Sequence, residues 1–144
     1  MSSTALTRDQ ALARLTAPGE PYELVDKFVD GQRLRVFRHA PASLRELVAG
    51  TASDAPFLVY EDERLSFAQA YRASAAIAHH LVHECGVAKG DRVAISMRNY
   101  PEWVHAFVAA TSIGAIAVAM NAWWQPEEMA YGLDDSGAKV LFAD

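Results

Sequence analysis

His79 and His83 stand four residues apart, the spacing at which a helix presents two imidazoles to one metal ion. Both fall off the apolar stripe of their segment, beside Arg72 and Ala76, and no carboxylate signature of a metalloenzyme accompanies them, so a solvated histidine face is preferred. Glu61, Asp62 and Glu63 are oxygen donors of the calcium-binding type. Three adjacent acids in a tight turn cannot converge their oxygens as a spaced loop does, and a charged turn is expected instead. Cys85, the only cysteine, ends an apolar helical stripe and has only histidines on other faces as basic neighbours, which favours a small buried hydrophobe over a reactive thiol. Ser136-Gly137-Ala138-Lys139 imitates a phosphate-cradling loop. It lacks a second glycine and a Ser or Thr after the lysine, and reads as a helix exit. Arg33 and Arg35 share a strand face, with Arg38 just beyond; a solvated face opposite Leu34 and Val36 is preferred to a basic binding stripe.

The elements that must carry these residues follow from capping and periodicity. Thr7 with Gln10 makes a capping box before Ala11, Leu12 and Leu15, and Pro18 and Gly19 end that short helix. Glu23 to Val29 and Gln32 to Phe37 flank Asp30-Gly31, a dipeptide that tolerates positive φ at both centres of a type I′ turn, so a β-hairpin is expected. Ser43 and Glu46 form a second capping box on a helix that Gly50 closes. Phe57 to Tyr60 and Arg64 to Phe67 read as short strands around the acidic turn, and Ser66 caps a long helix to Cys85. On it Phe67, Ala70, Tyr71, Ser74, Ile77, Ala78 and Leu81 recur at three- and four-residue steps, which makes one stripe core.

From Val93 onward the order is β, α, β, α, β. Val93 to Met97 is an apolar strand; Asn99 is the expected N-cap of a helix with Pro101 in its first turn, running to about Ile113, with Gly114 as its left-handed exit. That helix has little polar surface and is expected to be covered on most sides. Ile116 to Met120, a helix opened by Pro126, Glu127 and Glu128 and closed by Gly137, and a strand Lys139 to Phe142 complete the series. Strands joined by such helices pair in parallel through right-handed crossovers, which predicts an open α/β sheet with ligands outside the carboxyl ends of its strands. Those ends are Met97 to Asn99, Met120 to Trp124 and Phe142 to Asp144.

Composition sets bounds on function. The chain of 144 residues, 51% apolar, is enough for one compact domain or part of one. Eighteen acids against thirteen Lys and Arg repel a phosphate backbone, so nucleic acid is not an expected partner. One cysteine excludes an internal disulfide and fits a reducing compartment, with the cytoplasm as the default. The start MSSTALTRDQALARL lacks the basic and apolar regions of a secretory signal. The apolar run from Trp103 to Trp124 approaches a membrane span in length, but His105, Thr111 and Ser112 interrupt it and Gly114 divides it, so a buried helix and strand are expected.

The run GVAKGDRVAISMRNYPEWVHAFVAATSIGAIAVAMNAWWQPEEMAYGLDDSGAKVLFAD resembles the early part of the large domain of AMP-forming acyl-CoA ligases, members of the adenylate-forming superfamily. The likeness extends back through FLVYEDERLSFAQAYRASAAIAHHL and more loosely to Arg35-Val36-Phe37 and Ser43-Leu44-Arg45-Glu46-Leu47. Its most specific parts are GDRV, Asn-Tyr-Pro-Glu-Trp, and a Gly-Ala-x-x-Val strand entering Asn121-Ala122-Trp123-Trp124. Ala119-Met120 departs from the Pro-Leu common in relatives, which is expected to relax the strand exit without changing the fold.

The resemblance implies a parent enzyme that uses ATP and Mg²⁺ to turn a carboxylic acid into an acyl adenylate, then passes the acyl group to CoA. It implies an α/β fold in two stretches. Residues 1–50 form an N-terminal extension with a short helix, a hairpin and a capped helix, and residues 51–144 form the first part of the AMP-binding domain, incomplete at Asp144. The family's Ser/Thr/Gly-rich phosphate loop ending in Pro-Lys-Gly, its magnesium-holding Glu, ribose-binding Asp and C-terminal lysine do not occur in this chain. No residue is therefore put forward as catalytic, cofactor-binding or metal-ligating, and the chain by itself is expected to be silent. The acyl group, whether fatty, aryl or steroid-derived, is left open. So is the role of Trp123 and Trp124, as walls of an acyl or pantetheine channel or as a plug at the sheet margin. The alternative is a non-enzymatic α/β module that binds a partner or itself through an exposed sheet edge.

Overall fold

The computed structural model describes residues 5–144. The first four residues, on which the reading of the N-terminus partly rests, lie outside that range. The chain divides into two compact units, the first ending at Pro41 and the second running Ala42–Asp144.

In the first unit, α1 (Arg8–Leu15) opens with the expected capping box, Gln10 N–H donating to Thr7 Oγ1 and Thr7 N–H to Gln10 Oε1. Strands β1 (Leu24–Val29) and β2 (Gln32–Phe37) pair antiparallel across Asp30-Gly31, whose φ values of 49° and 79° are those a type I′ turn demands. Arg33 pairs with Asp26 at 2.6 Å and Arg35 lies 4.0 Å from the same carboxylate. Both arginines are well exposed, so the stripe is a solvated, partly neutralised strand face. Arg38 is engaged by Glu23 at 2.7 Å. The Gly19 N–H and Arg38 together hold the Glu23 carboxyl below its usual range.

The second unit begins with α2 (Leu44–Gly50), which packs on the later helix Pro101–Ser112. This helix lies within the second compact unit, which begins at Ala42. Ser43 caps it through Oγ, but Glu46 turns its carboxylate to the Ala42 N–H rather than closing the box on Ser43. Gly50 is the last residue of the helix, and Thr51 is the C-cap. Strands β3 (Pro56–Tyr60) and β4 (Glu63–Ser66) pair antiparallel with a register shift between Pro56 and Leu58. Glu63 belongs to β4, so the turn between them is Glu61-Asp62, with Glu61 at φ 47°.

Helix α3 (Phe67–His83) begins at Ser66, whose capping box with Gln69 is complete. It ends at His83, two residues short of Cys85, which packs half-buried against the core. Helix α4 (Pro101–Ser112) differs from expectation at its start: the N-cap is Tyr100, not Asn99, and no side chain caps it. Pro101 at the first helical position forces the residue before it into extended backbone, here φ −100°, ψ 161°, and that residue is Tyr100.

Helices α3 and α4 pack directly on each other. Ala70, Ser74 and Ala78 on α3 and Ala106, Ala109 and Ala110 on α4 are buried small residues that admit close approach. Between them the buried His105 Nδ1 lies 3.3 Å from Ser74 Oγ. The Ser74 hydroxyl hydrogen goes to the Ala70 carbonyl at 2.9 Å, so Ser74 accepts and His105 Nδ1–H donates. Burial pushes the His105 pKa down.

Strands β5 (Arg92–Ser96), β6 (Ile116–Ala119) and β7 (Val140–Ala143) form a parallel sheet of order β6-β5-β7. Val93, Ala94 and Ile95 of the central strand are wholly buried. Val93 meets Ala78, Leu81, Val87, Ala109, Ala110 and Ala115 in the core. At the amino end, Asp91 is a hub. It accepts from Ala88 N–H and pairs with Lys139 Nζ, both at 2.8 Å, and Lys139 also reaches the Gly86 carbonyl. The lysine of the imitation phosphate loop is thus a clasp on the sheet's base, and Gly137, at φ 62°, closes α5 (Pro126–Ser136) as expected. Among the described residues no helix is long and apolar enough to cross a membrane.

Candidate functional site

The carboxyl ends of β5, β6 and β7 open on two clefts. One, of about 460 Å³, is lined by Met97, Arg98, Asn99, Trp103, Met120 and Trp123 among others. The other, of about 440 Å³, lies over Tyr60, the Glu61-Asp62-Glu63 run, Tyr100, Glu102 and Asp144. The crossover rule for parallel sheets puts ligands at this edge.

Each wall has a local cause. Arg98 leaves β5, and its Nε donates to Asp144 Oδ2 at 2.7 Å, tying the exits of β5 and β7 together. The same guanidinium lies 4.9 Å over the Tyr100 ring, a cation–π distance, and Tyr100 meets Tyr60 edge-on at 5.4 Å. The ion pair lowers the Asp144 pKa and raises that of Arg98. Burial, then Glu61, raises that of Tyr60.

After β6, Asn121 Oδ1 accepts from Trp123 N–H at 3.0 Å and Asn121 O from Trp124 N–H at 3.1 Å, an Asx turn that points adjacent tryptophans apart. Trp123 is 76% exposed on the cleft rim. Trp124 turns to α5, where a β-carbon on Gly132 would lie only 2.6 Å from its Cζ3 and 2.9 Å from Met120 Cε. Trp124 thus packs as a plug against α5, while Trp123 lines the rim of the strand-end cleft. Gly132 was not singled out by the sequence reading, because its lack of a side chain matters only against a ring eight positions earlier.

A triphosphate needs several backbone N–H donors and free cations converging on one point. The strand-end donors do not meet that need: the lining cation is Arg98, already engaged by Asp144, and the other charged groups are carboxylates. A triphosphate would find here one engaged cation and several carboxylates, a donor set of the wrong sign for it. His79 and His83 sit on α3, away from the strand ends, with ring centres 4.2 Å apart. Among the described residues no group of three or more His, Cys, Asp or Glu is placed to hold a metal ion.

Comparison with known proteins gives a consistent picture. Residues 44–144 match the family model described as AMP-binding enzyme. The 2-succinylbenzoate–CoA ligase of Bacillus velezensis is 38% identical over 87 residues, which is 60% of this chain and 18% of the relative. The 3-hydroxybenzoate–CoA ligase of an Aromatoleum species is 41% identical over 59 residues, 41% of this chain and 11% of that protein. Among solved structures, the O-succinylbenzoate coenzyme A synthetase of Bacillus subtilis in complex with AMP superposes with a TM-score of 0.64 at 33% identity, over 70% of this chain and 26% of that one. The chain thus spans less than a fifth of the length of these two curated relatives.

Proposed function

This chain belongs to the AMP-binding enzyme family, and on that footing we propose that it forms the N-terminal portion of an ATP-dependent, AMP-forming acyl-CoA ligase. The parent enzyme joins a carboxylic acid to CoA by way of an acyl adenylate, with ATP, Mg²⁺ and CoA as its co-reactants. The observation that carries this reading is the family match running unbroken through α2 to β7, over the part of the chain that builds the parallel sheet. The curated relatives are named for aromatic acids, which supports an aryl carboxylate over a fatty acid as the substrate. The cytoplasm is the compartment that suits ATP, CoA and a free thiol at Cys85.

In this reading residues 42–144 are scaffold. The sheet and the α3–α4 pair hold the strand-end clefts open, and the groups that handle ATP come from elsewhere in the enzyme. The test is pyrophosphate exchange into ATP by the isolated chain, with benzoate and its hydroxy and succinyl derivatives as acids. No exchange is expected; acid-dependent exchange would show that the chemistry lies within these residues.

A second reading rests on a separate observation. Among the described residues, β6 and β7 each pair on one side only, and Ile116, Leu141 and Tyr131 are exposed. Unpaired edges recruit strands from other chains, so the isolated chain is proposed to self-associate. Light scattering that reports a monomer at high concentration contradicts this.

A further inference from the structure

We infer that His79 and His83 form a two-imidazole clamp for a divalent transition metal of the nickel, copper and zinc class, on the exposed face of α3. The inference is independent of the ligase reading. Four-residue spacing alone describes many solvated histidine faces. The structure adds that the rings face each other, with centres 4.2 Å apart and planes inclined by 39°. A metal bound by both rings at ~2.1 Å with a right angle between them would set the ring centres about 4.6 Å apart. The ring separation is therefore close to the one that chelation by both rings needs.

The surroundings define what the clamp takes. Both histidines are exposed and border a groove of about 190 Å³ with Tyr71, Ser74 and Ser112, so water can reach a bound ion. Arg45 lines the same groove and is its one competing cation among the lining residues. No third His, Cys, Asp or Glu among the described residues joins the pair, which leaves the other coordination positions to solvent. Imidazole nitrogens with open water positions suit nickel, copper and zinc, whereas magnesium and calcium demand oxygen ligands. A bound ion would staple the last two turns of α3, from which Leu81 enters the core with no exposed surface. Binding to the folded state alone raises the unfolding midpoint.

The test uses the 144-residue chain without an affinity tag, stripped of metal and titrated with Ni²⁺ by calorimetry and thermal unfolding. The expected result is one Ni²⁺ per chain, a raised midpoint, and no effect of Mg²⁺. His79→Ala and His83→Ala should each weaken binding by at least about tenfold. Both positions are exposed on a helix, where alanine is well tolerated, and His79→Gln gives a second variant that keeps a polar side chain. His80→Ala, one residue away on another face, should bind as the parent does. Unchanged binding in His79→Ala, or an equal loss in His80→Ala, overturns the assignment.

Discussion

Gly132→Ala probes the contact that decides what Trp124 does. Gly132 lies in the interior of α5, where alanine is favoured over glycine by about 1 kcal/mol. Against that gain, the new β-carbon would lie 2.6 Å from Trp124 Cζ3 and 2.9 Å from Met120 Cε. The methionine methyl ends a flexible chain and can swing aside. The indole is a rigid plate held by the Asn121 turn, so its displacement carries the overpacking cost of about 1–3 kcal/mol. The net expectation is a loss of about 0–2 kcal/mol in the parent chain. In a Trp124→Ala background the clash is gone and the same substitution should stabilise by up to about 1 kcal/mol. The double-mutant cycle, read from urea unfolding by circular dichroism, should therefore show a coupling of about 1–3 kcal/mol. A coupling under about 0.5 kcal/mol would mean that the ring does not rest on Gly132, and the plug assignment would fall.

Three further outcomes follow from the core and its caps. Leu81→Ala removes a side chain with no exposed surface from the centre of the core and should cost about 2–5 kcal/mol, measured as a lowered urea midpoint with unchanged slope. Ser66→Ala breaks the complete capping box of α3 and should cost about 1 kcal/mol, with Ser66→Gly costing less. His105 has its folded-state pKa held below the ordinary 6.5 by burial, which outweighs the pull of Glu102. The unfolded chain then binds the proton more readily, so this contribution is complete above about pH 6.5 and is lost as pH falls through the folded pKa. His105→Gln should show a shallower loss of stability than the parent as pH falls below about 6.5; an identical slope would remove His105 as the cause.

What the sequence made legible was local. The Thr7–Gln10 box, the Ser66 cap and the Asp30-Gly31 turn were readable because each is settled within four residues by backbone sterics and one or two hydrogen bonds. The parallel sheet was readable because apolar strands alternate with capped helices. The misread start of α4 is instructive. Asn99 is the better capping residue by propensity, but the constraint Pro101 places on its neighbour overrides it. Gly50 was read as the closing residue of α2, and it is the helix's last residue, with Thr51 as the C-cap. The side-chain pairings that tie the two ends of the sheet were not legible. Arg98 and Asp144 are 46 residues apart, Lys139 and Asp91 are 48 apart, and only the register of β5 with β7 brings them together. Trp123 and Trp124 look alike in sequence, and one Asx turn gives them opposite surroundings.

The central claim is that these residues are the scaffold of an adenylate-forming ligase. It is tested most directly by acid-dependent pyrophosphate exchange into ATP, measured on the native protein captured from its source cells through this segment. The account predicts exchange that requires an aromatic carboxylic acid and Mg²⁺, with AMP released once CoA is added. A captured protein that shows no exchange with any carboxylic acid would contradict it.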